Sequence, residues 1–192
     1  MSRNIKIILT LWTLTAIIVV CSGVLTDYSV RVAQAIGTSL TLSQILFFSL
    51  SKSFRSIVMA WSLRNLTLFQ SWRILPGALF LYYYYGLGKL SFDFAVIGGY
   101  GDMLVGITAI FLCPLANADQ KRLLRILLVW QVLALADLLF VIRSGFVASF
   151  TDPNVMRPLT EFPLGLLPTL LVPITLFAHF VAIAQLRKRL SS

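Results

Sequence analysis

Long uncharged stretches divide this chain, and charged residues mark their ends. A helix needs roughly 20 mostly apolar residues to cross about 30 Å of hydrocarbon, because each residue adds about 1.5 Å. The stretches that meet or approach this length are 7–26, 32–51, 74–88, 94–118, 126–146 and 162–186. The pattern therefore predicts an all-α, polytopic transmembrane helix bundle with about six spans, forming one integral membrane domain over residues 1–192.

Two of the six predicted spans depart from the usual pattern. Span 32–51 is rich in hydroxyl and amide side chains, so its crossing depends mainly on its length. Span 74–88 is short, and it crosses only if Arg73 and Lys89 at its ends extend their side chains to the headgroups. The number of crossings therefore depends on these two segments.

The segment 53–69 has the pattern of a helix that lies on a membrane surface. Phe54 and Val58 belong to an apolar stripe along one helical face, whereas Arg55 and Arg64 lie away from it. We expect one amphipathic helix over 53–69 in the membrane interface.

Composition agrees with a bilayer as the solvent, because 58% of the residues are hydrophobic and only 12% are charged. The net charge of +9 does not indicate nucleic-acid binding, since the basic residues lie between apolar stretches and not on a water-soluble face. Cys21 and Cys113 lie far apart in apolar runs and lack the spacing of a metal site. We expect no metal and no cofactor, and the lipid bilayer is the predicted partner.

The distribution of Lys and Arg orients the predicted spans, because these residues are retained on the cytoplasmic side. With six spans, twelve basic residues lie inside and four outside, which puts both termini in the cytoplasm. If 32–51 did not cross, the distribution would be eleven against five. Charge alone therefore hardly separates six spans from five.

Several short segments from residue 68 onward form a distinctive set. They are LFQSWR at 68–73, FDFA and GGYGD at 92–95 and 98–102, Trp130 with ADL at 136–138, LLPT at 166–169, and Val172, Pro173 and His179. With these segments the chain resembles a widespread group of small bacterial membrane proteins of unassigned function, over about two-thirds of its length. The resemblance implies a multi-pass protein of the bacterial cytoplasmic (inner) membrane, and it implies no catalytic or binding residues. Gln131 stands where such proteins usually have Asn.

Asp102 is the most informative residue in the apolar stretches. Small residues share its helical face, namely Gly98, Gly99, Gly106 and Ala109. Because small faces let helices approach closely, we expect Asp102 to point into the bundle. Placing a carboxylate there costs roughly 2.5–3.5 kcal/mol unless it is paired, hydrated or neutralised. Asp102 either caps a broken helix or hydrogen-bonds a neighbouring group, or it marks a binding or proton-handling site.

Further polar side chains complete a candidate intramembrane site. Asp137 falls at a depth similar to that of Asp102 in the next span, so the two could share a proton. Alternatively, Arg73 or Arg143 could neutralise one of them, although Arg143 and Asp137 lie on different helical faces. His179 is the only histidine, and either it forms a hydrogen bond with a neighbouring helix or it belongs to this candidate site. Gln131 is a further member of the candidate site.

Three functions are compatible with these residues. The first is a non-enzymatic module that binds a lipid or a small apolar or cationic ligand, or an accessory subunit, since no catalytic motif is present. The second is a small proton-coupled transporter that uses Asp102 and Asp137. The third is a membrane enzyme acting on lipid or quinone, which requires His179 to converge with both aspartates. The sequence does not identify an oligomer or a partner subunit.

Overall fold

A computed structural model of the protein describes residues 3–191, and within that range it has seven helices and no strand. Four helices, namely α2, α5, α6 and α7, are long and apolar enough to cross a membrane, and the apolar part of α1 is shorter. An all-helical bundle with membrane-capable helices is therefore confirmed. The helices are α1 (Arg3–Cys21), α2 (Val30–Leu50), α3 (Lys52–Met59), α4 (63–86), α5 (Asp93–Asn117), α6 (Lys121–Thr151) and α7 (Leu167–Ser191).

The prediction of one interfacial helix over 53–69 is wrong, because two helices occupy this segment. The first ends at Met59, and the second begins at Leu63. The hydroxyl of Ser62 accepts a hydrogen bond from the backbone N–H of Asn65, 3.3 Å away, and so caps the start of α4. Only α3 keeps the amphipathic pattern, whereas the rest of the segment belongs to the bundle.

The helix that contains the predicted third span begins eleven residues before residue 74, because α4 is helical without a break over 63–86. Its length is about 36 Å at 1.5 Å per residue, which is enough to cross the hydrocarbon. Arg73 therefore lies near the middle of this helix, where its side chain is 1% exposed. It faces the interior of the bundle and does not extend to a headgroup.

Close contacts fix the relative directions of the three central helices. Gly77 packs on Gly99, while Ser71 lies against Gly106, so α4 and α5 are antiparallel. The indole N–H of Trp130 donates to the hydroxyl of Thr108 (3.0 Å). Gly101, closer than Thr108 to the start of α5, lies against Asp137, which is closer than Trp130 to the end of α6. Helices α5 and α6 are therefore also antiparallel.

The first and second helices pack on α7 in opposite directions. Trp12 of α1 donates to the carbonyl of Thr169 (3.0 Å), while Val20, farther along α1, lies against Gly165 before α7 begins. Gly37 of α2 lies against Pro168, and Phe48 one turn from its end packs on Phe177 and Phe180. Helix α1 is therefore antiparallel to α7, and α2 is parallel to it.

These directions bring like charges to one end of the bundle, which we call the basic end. At this end Gln185 of α7 donates to the carbonyl of Trp61, and Arg189 donates to the carbonyl of Ala116 at the end of α5. The opposite end carries basic and acidic residues in equal number, Arg31, Lys89, Arg143 and Arg157 with Asp27, Asp93, Asp152 and Glu161. The basic end carries Lys52, Arg55, Arg64, Lys121, Arg122, Arg125, Arg187, Lys188 and Arg189, with Asp119.

Two apolar cores stabilise the bundle, one toward each end. The core near the basic end includes Leu66, Leu127 and Val181, and the other includes Phe80 and Phe94. Between them lies a layer of buried polar side chains, contributed mainly by α4, α5, α6 and α7. The buried members of this layer are Thr67, Gln70, Arg73, Asp102, Gln131, Thr175 and His179, and Asp137, which is partly exposed, lies beside them.

Candidate functional site

Arg73 links three helices near the middle of the bundle. Its Nε donates to Oδ1 of Asp102 (2.6 Å), and its Nη2 donates to Oδ2 of Asp137 (2.5 Å). Its Nη1 donates to the backbone carbonyl of Ala134 (3.0 Å). Every nitrogen of the guanidinium is therefore bonded, as a charge buried away from water requires. We call Arg73, Asp102 and Asp137 the ionic cluster.

Close packing of α4 on α5 lets Arg73 reach Asp102. The four small residues predicted to form a packing face, Gly98, Gly99, Gly106 and Ala109, are all buried. A side-chain carbon at Gly99 would lie only 3.0 Å from the carbonyl oxygen of Gly77 on α4. Glycine at these positions therefore allows the two backbones to touch, which brings the short Asp102 side chain within reach of Arg73.

Gly101 accommodates the second carboxylate and was not identified from the sequence. A side-chain carbon built at this position would lie 2.0 Å from Oδ1 of Asp137, closer than van der Waals contact allows. The carboxylate of Asp137 therefore rests directly on the backbone of α5. A glycine on the flank of a helix gives no such signal in sequence, because the partner comes from another helix.

The two carboxylates of the ionic cluster have different surroundings. The side chain of Asp102 is 6% exposed and lines a cavity in the bundle, whereas that of Asp137 is 23% exposed and does not line it. Two carboxylates face one guanidinium, so the formal charge of the ionized cluster is negative. Arg73 therefore lies between an interior carboxylate and one nearer the surface.

The cavity beside Asp102 has a volume of about 240 Å³ and lies between α2, α4, α5, α6 and α7. Most of its wall is apolar, including Phe80 and Leu176, and Arg73 with Asp102 forms its charged part. Both hydrogen-bonding contacts from Arg73 go to Oδ1 of Asp102. Among the described residues none donates to Oδ2, so this oxygen can accept a hydrogen bond from a ligand in the cavity.

A second, neutral cluster lies one to two turns closer to the basic end. The hydroxyl of Thr67 donates to the carbonyl of Leu63 and accepts from Nε2 of Gln131 (3.2 Å). The Oε1 atom of Gln131 therefore faces Nδ1 of His179, 2.6 Å away. Because Oε1 can only accept, Nδ1 carries the proton, and Nε2 is the acceptor in a neutral ring. We call Thr67, Gln131 and His179 the amide–imidazole cluster.

Buried polar atoms without a partner lie in the same layer. Nε2 of His179 is buried and has no hydrogen bond to any described residue. Both amide atoms of Gln70 are buried and unbonded within the same part of the chain. Gln70 occupies the α4 face between Thr67 and Arg73, one turn from each. An internal water or a polar ligand group would satisfy these atoms.

The structure thus divides the predicted site residues between two clusters. It brings Arg73, Asp102 and Asp137 together, and it places Gln131 and His179 in the neighbouring amide–imidazole cluster. Thr67 and Gln70 were missed, because Thr67 fell in the segment predicted to be interfacial and Gln70 fell between that segment and the third predicted span, although their spacing from Arg73 puts them on its helical face. Within residues 3–191 no three His, Cys, Asp or Glu side chains are arranged to hold a metal ion.

Comparison with known proteins gives a family for this architecture. A sequence profile described as a domain of unknown function, DUF8737, matches residues 30–187. The chain belongs to the DUF8737 family. The matched region contains α2 to α6 and most of α7, and therefore both clusters and the whole wall of the cavity beside Asp102, while α1 precedes it. No curated protein and no solved structure matches the chain.

Proposed function

We propose that this DUF8737 protein crosses the bacterial cytoplasmic membrane six times, with α1, α2, α4, α5, α6 and α7 as the spans. The helix directions support this, because each of these helices runs opposite to the next along the chain. Helix α4 supplies a crossing even though it contains Arg73, since the ionic cluster bonds that residue inside the bundle. Helix α3 has one strongly polar face and lies at the basic end.

The charge distribution supports an orientation with the basic end in the cytoplasm. Helix α1 begins and helix α7 ends at that end, so both termini lie inside in this topology. Labelling with a membrane-impermeant thiol reagent in a Cys21→Ser background tests it. Cysteines replacing Ser29 and Asn154 should react in intact cells, and one replacing Asn117 should react only after lysis. Reaction of the Asn117 variant in intact cells contradicts the orientation.

We infer that the protein is a non-enzymatic module that binds a small, mostly apolar ligand with one hydrogen-bond donor or cationic group. The observation that carries this function is the 240 Å³ apolar cavity with Asp102 in its wall. Most of such a ligand would contact apolar side chains, while its polar group would donate to Oδ2 of Asp102. A few polar groups in an otherwise apolar pocket are typical of small-molecule sites.

A thermal-stability series on the detergent-purified protein tests this function. Cyclohexylamine and cyclohexanol should raise the unfolding temperature, whereas cyclohexanecarboxylate, repelled by the ionic cluster, should not. The Asp102→Asn variant should lose the preference for the amine. The matched Asp137→Asn variant should keep it, because Asp137 does not line the cavity.

If Asp102→Asn does not fold, the Ile142→Phe variant tests whether the ligand binds in the cavity. Ile142 lines the cavity, so a larger side chain there should abolish the response to all three compounds. An unchanged response in Ile142→Phe places binding elsewhere, and no response in the wild type to any of the compounds rejects this ligand class.

Proton-coupled transport is the second candidate. It is favoured by the position of Arg73 between a carboxylate that lines the cavity and a carboxylate that is 23% exposed elsewhere. Exchange of a proton between the two carboxylates could change which of them Arg73 holds. Proton flux into liposomes under a membrane potential should then fall in Asp137→Asn and persist in Arg143→Gln. Equal flux in protein-free and protein-containing liposomes rejects the candidate.

The enzyme hypothesis requires His179 to meet both aspartates. His179 instead bonds Gln131, and no hydrogen bond joins it to Asp102 or Asp137 among the described residues. We therefore propose no enzymatic reaction.

A further inference from the structure

A second cavity, separate from the central one, forms a groove at the basic end of the bundle. Its volume is about 900 Å³, within the range typical of ligand sites. Its wall comes from α1, α2, α4, α7, Phe54 of α3 and the segment that joins α3 to α4. It opens to the outer surface, since the lining residues Ile8 and Phe47 are 62% and 64% exposed. Among the described residues no charged side chain lines it.

On α1, α2 and α4 the groove is lined from about the middle of each helix to the basic end. On α7 it is lined by Ile174, Phe177 and Ala178, before the midpoint of that helix, and Phe177 packs on Phe48 near the end of α2. On α2 its deepest residue is Leu40, ten residues from the end of the helix at Leu50. That distance is about 15 Å, or half the hydrocarbon thickness of about 30 Å. The groove therefore spans the depth of a single leaflet.

The shallow end of the groove is polar, and two arginines lie near it. Ser62 and Asn65 line this end, and the exposed Arg64 lies between them in sequence. Arg55 is fixed nearby, because its guanidinium donates to the carbonyls of Phe48 and Ser49 at the end of α2. An apolar groove with arginines near its shallow end is complementary to an anionic phospholipid, whose acyl chain lies below a negatively charged headgroup.

We propose that this groove binds an anionic phospholipid of the cytoplasmic leaflet, with one acyl chain between α1, α2 and α7 and the phosphate near Ser62, Arg64 and Asn65. Trp61 lines the shallow end of the groove, as expected near a membrane interface. The inference rests on the membrane topology proposed above, and it is independent of the central cavity.

Lipid binding to the detergent-purified protein tests the groove, with phosphatidylglycerol and phosphatidylcholine of identical acyl chains as probes and native mass spectrometry as the readout. The wild type should bind phosphatidylglycerol more tightly. Ser43→Trp fills the groove and should remove this binding, whereas Ser39→Trp, one turn away on the same helix and outside the groove, should retain it. Both serines are exposed, so folding should survive in both variants.

A separate variant tests the contact between the protein and the lipid headgroup. Arg64→Gln should weaken phosphatidylglycerol binding by about fivefold and leave phosphatidylcholine unchanged, while Arg143→Gln at the opposite end should change neither. Equal wild-type affinity for the two lipids overturns the anionic headgroup, and equal binding by Ser43→Trp and Ser39→Trp overturns the groove. A wrong topology would instead appear in the thiol labelling, so the two failures are distinguishable.

Discussion

Two polar clusters lie one above the other on α4 and α6, and they differ in charge and in how fully they are bonded. In the ionic cluster every guanidinium nitrogen of Arg73 has an acceptor. In the amide–imidazole cluster each residue has a partner, yet Nε2 of His179 and the amide of the adjacent Gln70 have none among the described residues. The charged cluster is the better satisfied of the two.

This difference follows from the cost of burying each kind of group. An unpaired charge in a medium of low dielectric costs several kcal/mol, whereas an unpaired amide or imidazole nitrogen costs about 1–3 kcal/mol. Helix packing around Arg73 must therefore be close, and the glycines of α5 permit it. The neutral cluster can tolerate an unfilled acceptor or hold a water. The comparison predicts a graded series of mutational effects.

Removing the shared cation should have the largest effect. Arg73→Met leaves the buried Asp102 and the partly exposed Asp137 unpaired, so we expect a loss of about 3–5 kcal/mol in unfolding free energy, or loss of folded protein. Unfolding in mixed micelles with increasing SDS, followed by circular dichroism, measures it. Arg143→Met removes an exposed cation and should change stability by about 0.5 kcal/mol or less. Similar stability of the two variants contradicts a structural role for the ionic cluster.

Crowding the second carboxylate should have the next largest effect. Gly101→Ala places a methyl group where Oδ1 of Asp137 lies, so either the helices separate or the carboxylate leaves Arg73, at a cost of about 1–3 kcal/mol. The same unfolding assay applies.

A double-mutant cycle with Asp137→Ala isolates this contact. Once Asp137 is shortened, Gly101→Ala should cost much less than it does in the wild type. Additive effects of the two changes would mean that Gly101 is required for another reason.

The sequence predicted the small face of α5 and the burial of Asp102 well, because both depend on spacing within one helix. Gly98, Gly99, Gly106 and Ala109 recur at helical intervals, and this periodicity survives any rearrangement of the neighbouring helices. Fold class was equally accessible, since it follows from the lengths of uncharged stretches.

The position of Arg73 could not be predicted in this way, because charged residues were used to mark the ends of spans. That rule fails where a buried charge has partners on other helices, and such partners are not visible in a local pattern. The same misassignment hid Thr67 and Gln70, which lie on the face of α4 that includes Arg73. A capping serine at position 62 was the local signal for the true start of α4.

In the neutral cluster, Gln131→Leu should cost about 1–3 kcal/mol. The change leaves Nδ1 of His179 without its acceptor and the hydroxyl of Thr67 without its donor. Gln131→Asn should cost less than Leu, because the shorter amide can still reach one of the two partners. Val132→Leu, at the next, exposed position of α6, serves as the control in the SDS assay. A smaller loss of stability in Gln131→Leu than in Gln131→Asn would mean that the shape of the side chain at this position, and not its hydrogen bonding, stabilises the fold.

The smallest effect is expected at Gln70, one turn from each cluster on α4. Both of its amide atoms are buried without a partner among the described residues, so Gln70→Leu removes no hydrogen bond and keeps a similar volume. We expect a change within about 0.5 kcal/mol, or slight stabilisation, because replacing an unsatisfied polar group by an apolar one is close to neutral. The SDS assay should place Gln70→Leu well above Gln131→Leu in stability. A loss of about 1–3 kcal/mol would instead show that an internal water or a ligand group bonds this amide, and would extend the central site toward His179.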